Sequence, residues 1–532
     1  MVPVASASPV ADVTDPHGAR GFIGDAPAKA HGILWDKASY LAKKGGVPDT
    51  GETAQVVVVG GGIAGLTAAY RLRDFKPIVL EQGKQFGGNA KGERWNDLVY
   101  SIGSAYIPRP EKGTALGDLF DELGLREHFR FESSRDEGVL LSGHAAGADG
   151  AVRVAAPFWS GASVKAGDEA GAADIRRVYQ RLLDFEAESY PTIPPRNEAE
   201  RERVEALDRV SFAEWVQKNL GKIHPHVEEL FHEYCWDSMG GGYDELSAAQ
   251  VLNFLTADLA GGMGALPGGN SAISSALYER LAGSDRSPRL RNEALTVDVS
   301  ANAHGVRVCY EDAKGKLRSI QAKACIVTSP KFVAKTIVSN LPADQLAAMR
   351  ALRYRAFIVA NVLINGKVES PHYGVFRITG EVPSGPDNGD AARAFTSMIF
   401  GAWAQGNQTG SSSLTLYKAF PFEEGRASLS PHSAYAKVRS RFEREIPGLL
   451  ASIGVDPSRV AGLRLARWGH ALPLAAPGLL ASGVLEKASR PVAERIFFAQ
   501  QDNWANPSVE TSVTTAVAAA AAVRARLSKS EA

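Results

Sequence analysis

The clearest pattern along the chain is an unbroken β-branched run at residues 55–59, QVVVV, which predicts a strand covered on both faces in a parallel sheet. It passes into Gly60-Gly61-Gly62-Ile63-Ala64-Gly65, then LTAAYRLRDF, a helical sequence, then PIVLE, a short strand ending at Glu81. Strand, glycine loop, helix and strand in that order predict a complete βαβ unit. Farther on, LTVDVSANAHGVRVCYED alternates apolar and polar positions around a turn at 302–305 and predicts a hairpin, and ACIV at 324–327 predicts another buried strand. LRYRAFIVANVLIN and SSLTLYKAF predict strands of an antiparallel sheet, the region after Asp174 predicts mainly helix, and the alanine-rich stretch 513–523 predicts a closing helix. Residues 31–44 predict a short helix packed on the main body, whereas 145–150 and 381–391 predict exposed loops.

A chain of 532 residues exceeds a single small core and predicts at least two domains. Its 59 basic and 59 acidic residues balance, so it offers no field for nucleic acid or an anionic membrane. The three cysteines, Cys235, Cys309 and Cys325, lack the close spacing of a metal site or a disulfide framework. The histidines at 224 and 226 straddle a proline, so with His232 and Glu233 they read as a solvated helix start rather than a metal site. Gly240-Gly241-Gly242 follows no buried strand and reads as a hinge or loop near a substrate entrance. The stretch 513–523 falls short of the ~20 apolar residues that span a bilayer. Residues 1–30 lack a charged segment followed by an apolar one, so a soluble, cytoplasmic protein is expected, with a trimmed export signal as the alternative.

The glycines have distinct tasks. Gly60 permits the tight turn, Gly62 lets backbone approach a pyrophosphate, and Gly65 lets helix pack on sheet. The helix start at Ile63 and Ala64 offers N–H groups and a positive dipole end to phosphate. Glu81, twenty-one residues beyond Gly60, stands where a carboxylate accepts the two ribose hydroxyls of an adenosine. This constellation predicts dinucleotide binding but does not by itself choose between NAD and FAD.

After Glu81 the sequence QGKQFGGNAKG resembles the flavin-containing amine oxidase superfamily, which carries a similar double glycine, here Gly87-Gly88. The resemblance makes Gln82 and Asn89 cofactor neighbours; Asn89 replaces the usual arginine, leaving Lys84 or Lys91 to compensate. Ser101-Ile102-Gly103-Ser104-Ala105-Tyr106 resembles the flavin-facing segment, giving Gly103, Ser104 and Ala105 as ring contacts and Tyr106 as a pocket residue. Near the other end, Glu494 to Asp502 resembles the closing strand, with Asp502 near the ribityl and phosphate groups. Val509 and Thr511 then start the helix facing the pyrimidine edge, with Gln500 and Thr511 standing where the family has glycines. LPGGN at 266–270 resembles the turn leading back to the FAD unit, and Val297 in the hairpin is the expected cover of the adenine.

In many superfamily oxidases a lysine five residues after a proline reaches flavin N5 through a water. Lys335 has that spacing from Pro330, against the alternative of a surface lysine beside Lys331. The family's aromatic cage and flavin-linked cysteine do not transfer: Ser508 stands where one cage tyrosine would be. The resemblance therefore implies noncovalent FAD and an unusual pocket, with Trp468, His470 and Trp504 as candidate walls or, equally, as core.

The implied fold is mixed α/β and α+β: a Rossmann-like FAD-binding domain interleaved with a helical and antiparallel-sheet substrate domain. An extension, 1–53, precedes FAD segments at 54–107, 252–341 and 464–532, and substrate segments at 108–251 and 342–463. The implied reaction passes hydride from a small organic substrate, an amine or amino acid, to flavin N5, with dioxygen as acceptor and hydrogen peroxide as product. Three alternatives stay open: an FAD-dependent desaturase or isomerase on an apolar substrate, a non-catalytic flavin protein, and an NAD dehydrogenase.

Overall fold

The computed structural model describes residues 7–528 apart from 18–19, 148–150, 284–288, 382–392, 407–408, 422–424, 426–428 and 432. Most of the loop read at 381–391, and the end of the one at 145–150, lie outside the described residues.

The β-branched run sits inside the strand Glu52–Val59, between two parallel neighbours. Ile78–Leu80 pairs on one side, with Val59 opposite Leu80, and Leu317–Val327 on the other, with Val59 opposite Val327. Ile496–Phe498 joins the far side of Leu317–Val327 in parallel, bringing the closing strand beside the first one. Val56, Val57 and Val58 have no exposed surface, as strands covered on both faces require. The helix Ile63–Arg71 covers one face, and Val509–Ser528 packs on it through Val513, Ala516 and Ala520, which meet Ala64, Ala68 and Ala69 in one core. Small side chains on both helices permit that close approach.

The hairpin forms as Leu295–Asn302 and Gly305–Glu311, antiparallel, with Asn302 opposite Gly305. The expected helix at 31–44 is two helices, Pro27–Leu34 and Lys37–Lys43. Asp36 interrupts the run by accepting the Ser39 N–H and capping the second.

A second sheet has eight strands, and Tyr354–Asn365 lies near its centre, antiparallel to Ser411–Phe420 and to Val460–Pro473. Residues 464–473, read from the sequence with the FAD unit, therefore hydrogen-bond within this sheet. The expected boundary at 251/252 likewise falls inside the helix Ala248–Gly261. Helices Glu169–Ser189, Phe212–Asn219, Pro225–Met239 and Ala248–Gly261 share a core with Gly138–Leu141 of this sheet, and Pro225–Met239 packs on Gly374–Ile378. Among the described residues no helix is long and apolar enough to cross a membrane.

Candidate active site

Gly60, Gly62 and Gly65 lie where Glu52–Val59 turns into its helix. A side chain at Gly65 would put Cβ 1.9 Å from the Gly60 carbonyl oxygen, so the helix can sit on the turn only with glycine there. Gly87 and Gly88 run beside Gly62: the Gly87 N–H donates to the Gly61 carbonyl at 2.7 Å, and a Cβ on Gly88 would come within 3.0 Å of Gly62 Cα. Both have positive φ, 111° and 58°, which glycine adopts without strain. Glu81 is buried at the tip of its strand, where Oε2 accepts the Gly61 N–H at 2.9 Å and Oε1 the Gly83 N–H at 2.7 Å. These bonds hold the carboxylate over the glycine loop. Gln82, next to it, is exposed.

Asn89 links this loop to the flavin-facing segment. Its carbonyl accepts the Ser104 N–H at 2.8 Å, and a Cβ on Gly103 would stand 2.1 Å from that oxygen. Its side chain donates to the Ala471 carbonyl, which also accepts from Gln501 Nε2 at 3.0 Å. Gln501, which the sequence reading passed over, thus shares a partner with the loop, while its neighbour Asp502 turns inward. Of the two lysines that could replace the missing arginine, Lys91 is buried with its ammonium 5.9 Å from the Trp468 ring centre, whereas Lys84 is exposed.

Residues 103–106 are fixed from the substrate side. Tyr417 donates to the Gly103 carbonyl, Tyr373 to the Ala105 carbonyl, Trp468 Nε1 to the Ile102 carbonyl, and Asn270 to Ser104 Oγ and the Tyr106 carbonyl. Trp468 is therefore a buried brace behind the segment. His470 stacks on Phe332 with ring centres 4.1 Å apart. Ser508 caps the closing helix by accepting the Thr511 N–H at 2.9 Å, and the Thr511 hydroxyl donates to Asn506, so neither group of Thr511 points outward; Val509 is buried. Trp504 packs with Ile193, Val204 and Ala249. Val297 packs with Ile33, Leu295, Cys309 and Leu317 under the N-terminal helices, because a bulge between Thr296 and Asp298 displaces it; Glu293 and Ala294 are the residues bonded to the Glu81 loop.

Lys335 is half-buried on the helix Lys331–Ile337. Lys331, at the first position, is the fully buried one: Nζ donates to Asn503 Oδ1 at 2.5 Å and its N–H to Asp502 Oδ2 at 2.8 Å. Burial pushes this ammonium down to about 8, against the pull of Asp502. The Tyr354 hydroxyl also donates to Asp502, so one carboxylate ties together both sheets at the end of the closing strand.

On the far side of Tyr106 lies a cavity of about 90 Å³. Its wall combines apolar residues such as Leu230, Leu255 and Phe376 with Tyr106, Tyr234, Tyr373, Trp159 and four carboxylates, Glu132, Glu137, Asp237 and Asp258. Each carboxylate has a donor: the Tyr106 hydroxyl reaches Asp237 Oδ2 at 2.9 Å, Trp159 Nε1 reaches Glu137 at 2.7 Å, Tyr234 bonds Asp258, and Glu132 meets His372 and the Tyr373 N–H. Desolvation raises Glu137 to about 7 and Asp237 to about 6, and lifts Asp258 well above the usual carboxylate range. Of the expected pocket residues only Tyr106 lines this cavity; the rest of its wall comes from residues the sequence reading did not single out. The three cysteines are buried in core strands or helix.

A parallel sheet with a glycine-rich turn and a buried acid at the tip of its second strand is the frame of a dinucleotide-binding enzyme. The profile of the family described as flavin containing amine oxidoreductase matches residues 63–524, and the chain belongs to that family. It is 26% identical over 523 residues to Oxidoreductase PigB of Serratia sp. (strain ATCC 39006), covering 90% of this chain and 76% of that protein. It is 25% identical to a probable flavin-containing monoamine oxidase A of Dictyostelium discoideum over 42% of this chain and 48% of the other. Among solved structures the fold is shared with cyclohexylamine oxidase from Brevibacterium oxydans IH-35A, with a TM-score of 0.63 at 16% identity over 90% of this chain and all of that one. It is also shared with putrescine oxidase bound to putrescine, with a TM-score of 0.61 at 17% identity over 89% and 99%.

The residues present fit FAD. The backbones of Gly62 and Gly88 make a cradle that side chains would fill. Buried Ser329 Oγ and Gln500 Nε2, just beyond the strands Leu317–Val327 and Ile496–Phe498, have no hydrogen-bond partner among the described residues. Such polar atoms at the carboxyl ends of parallel strands suit a nucleotide laid across them.

Proposed function

We propose that this enzyme oxidises a small amine, held in the cavity beyond Tyr106 against the flavin-facing segment. Bound FAD supplies a hydride acceptor at N5 and is reoxidised by dioxygen, giving hydrogen peroxide. The observation that carries the reading is the cavity wall, where the rings of Tyr106, Tyr234 and Tyr373 stand with Asp237 and suit a nitrogen that arrives as a cation. On this reading Gly60, Gly62, Gly65, Glu81, Gly87, Gly88 and Gln501 hold the cofactor, and backbone at 103–105 lies against the ring. Lys331 supplies the fixed positive charge that sequence spacing assigns to Lys335. The domain division that fits this assignment groups the seven-stranded sheet with its helices as the FAD unit and the eight-stranded sheet with its helices as the substrate unit.

Anaerobic mixing of the purified holoenzyme with a panel of alkyl, cyclic and aryl amines tests it. At least one amine bleaches the flavin absorbance, and admitting air restores the colour with one equivalent of peroxide. A second reading, desaturation of an apolar chain, is favoured by Leu230, Leu255, Leu259, Met263, Met398 and Ile399 in the same wall. Bleaching by apolar polyenes or their reduced precursors, with every amine inert, would select it.

A further inference from the structure

We propose that Asp237, reached through the Tyr106 hydroxyl, is the group that takes the nitrogen proton of the bound amine and so prepares it to give up hydride. The assignment rests on the amine reading above. An amine arrives as an ammonium, whose nitrogen has no free pair to stabilise the carbon that loses hydride. The proton must pass to a base before hydride can leave.

The geometry favours one route. Tyr106 ends the segment 101–106, and its carbonyl and the preceding residues are fixed by Asn270, Tyr373 and Tyr417. Its ring is flanked edge-on by those two tyrosines, with centres 6.3 and 6.5 Å away. The hydroxyl reaches Asp237 Oδ2 along the cavity wall at 2.9 Å, with the Ser238 side chain as its other polar neighbour. Asp237 in turn is held by Ser397 at 2.6 Å and Thr396 at 3.3 Å on its other oxygen, which orients Oδ2 toward Tyr106. A second tyrosine–aspartate pair, Tyr234 and Asp258, lines the same cavity, but neither residue belongs to the flavin-facing segment.

The step moves protons only. The ammonium N–H bond breaks as a proton passes to Tyr106 Oη, and Tyr106 passes its own proton to Asp237 Oδ2. The result is a neutral amine, a neutral tyrosine and a neutral carboxyl, with no electrons exchanged. Replacing an ammonium–carboxylate pair by two neutral groups suits a cavity with a largely apolar wall, where separated charges are costly. A carboxyl that titrates near 6 is ready as the base at neutral pH. The titratable groups facing Asp237 are the phenols of Tyr106, Tyr373 and Tyr417. Asp258, Glu137 and the Glu132–His372 pair stand elsewhere in the cavity wall, and the ion pair Glu233–Arg393 lies one turn back on its helix.

The test uses tert-butylamine, which has no α C–H and so binds the holoenzyme without turnover. In infrared difference spectra, binding to the wild type at pH 7.5 produces the carbonyl stretch of a newly protonated carboxyl. Asp237→Asn and Tyr106→Phe both lack it; the first keeps the hydrogen bonds of a buried site, and the second keeps the carboxylate. With an oxidisable amine such as cyclohexylamine, Tyr106→Phe bleaches its flavin at least tenfold more slowly at pH 7.5 and recovers as pH rises toward the amine's own ionisation. Tight binding with no carboxyl band, or a band that survives in Asp237→Asn, overturns this assignment alone. If no amine binds or bleaches the flavin, the amine reading falls and takes the assignment with it.

Discussion

The glycine loop and the cavity lined by Tyr106 are built in opposite ways. In the glycine loop, contacts are made mainly by backbone within one stretch, 60–91, so glycine and one acid define its surface. In the cavity, the wall is made largely by side chains from segments as far apart as 106, 132–137, 230–258 and 373–399. The difference teaches where tolerance should lie. The first region fails when a single atom is added, whereas the second changes selectivity or pH response when a group is swapped.

The largest effect is expected at the helix–turn contact. Gly65→Ala places a methyl where the Gly60 carbonyl stands and should cost about 3 kcal/mol or more, giving protein that purifies without flavin colour. The ratio of flavin to protein absorbance checks it. A yellow, stable Gly65→Ala enzyme would break the comparison at its stronger end. Next comes the knot between the sheets. Asp502→Ala strips Lys331 and Tyr354 of their shared acceptor and leaves a buried ammonium poorly compensated, a loss of about 3 kcal/mol in denaturant unfolding.

The cavity should show itself through pH. The folded Glu137 carboxyl holds its proton up to about 7, while the unfolded chain releases it near 4.5, so its contribution is full below the lower value and is lost as pH rises to the upper one. Glu137→Gln should therefore raise stability at pH 7.5 by up to about 3 kcal/mol and flatten the decline between those values, as thermal melts across pH would record. The smallest effect is expected at the N-terminal strap. Asp25 accepts from Arg467 at 2.9 Å and from the Gly469 N–H at 2.9 Å beside Trp468, and Asp25→Ala should cost about 1 kcal/mol with a modest rise in the FAD dissociation constant.

How much the sequence revealed follows the same division. The βαβ unit, the hairpin, the central strands of the second sheet and the closing helix were legible, because local periodicity and glycine placement determine them. The burial of Lys331 follows from a pattern that the sequence did contain. Ala334, Ile337 and Val338 mark the inward face of that helix, and Lys331 stands three residues before the first of them, whereas spacing from Pro330 alone selects Lys335. Gln501 carries no signal of its own beside Asp502, which a tight turn takes inward to Tyr354. The carboxylates of the cavity were not legible at all. Asp237 is one acid in a helix with several, and only tertiary packing places Tyr106 and Ser397 against it.

Anaerobic reduction of the bound flavin, followed by its absorbance in the wild type and in Asp237→Asn side by side, reaches both halves of the molecule at once. The account expects a yellow protein with about one FAD per chain, bleached by an amine, with the variant equally yellow but at least tenfold slower at neutral pH. A colourless protein that takes up no FAD, or bleaching that proceeds at the same rate whether or not Asp237 is present, would contradict it.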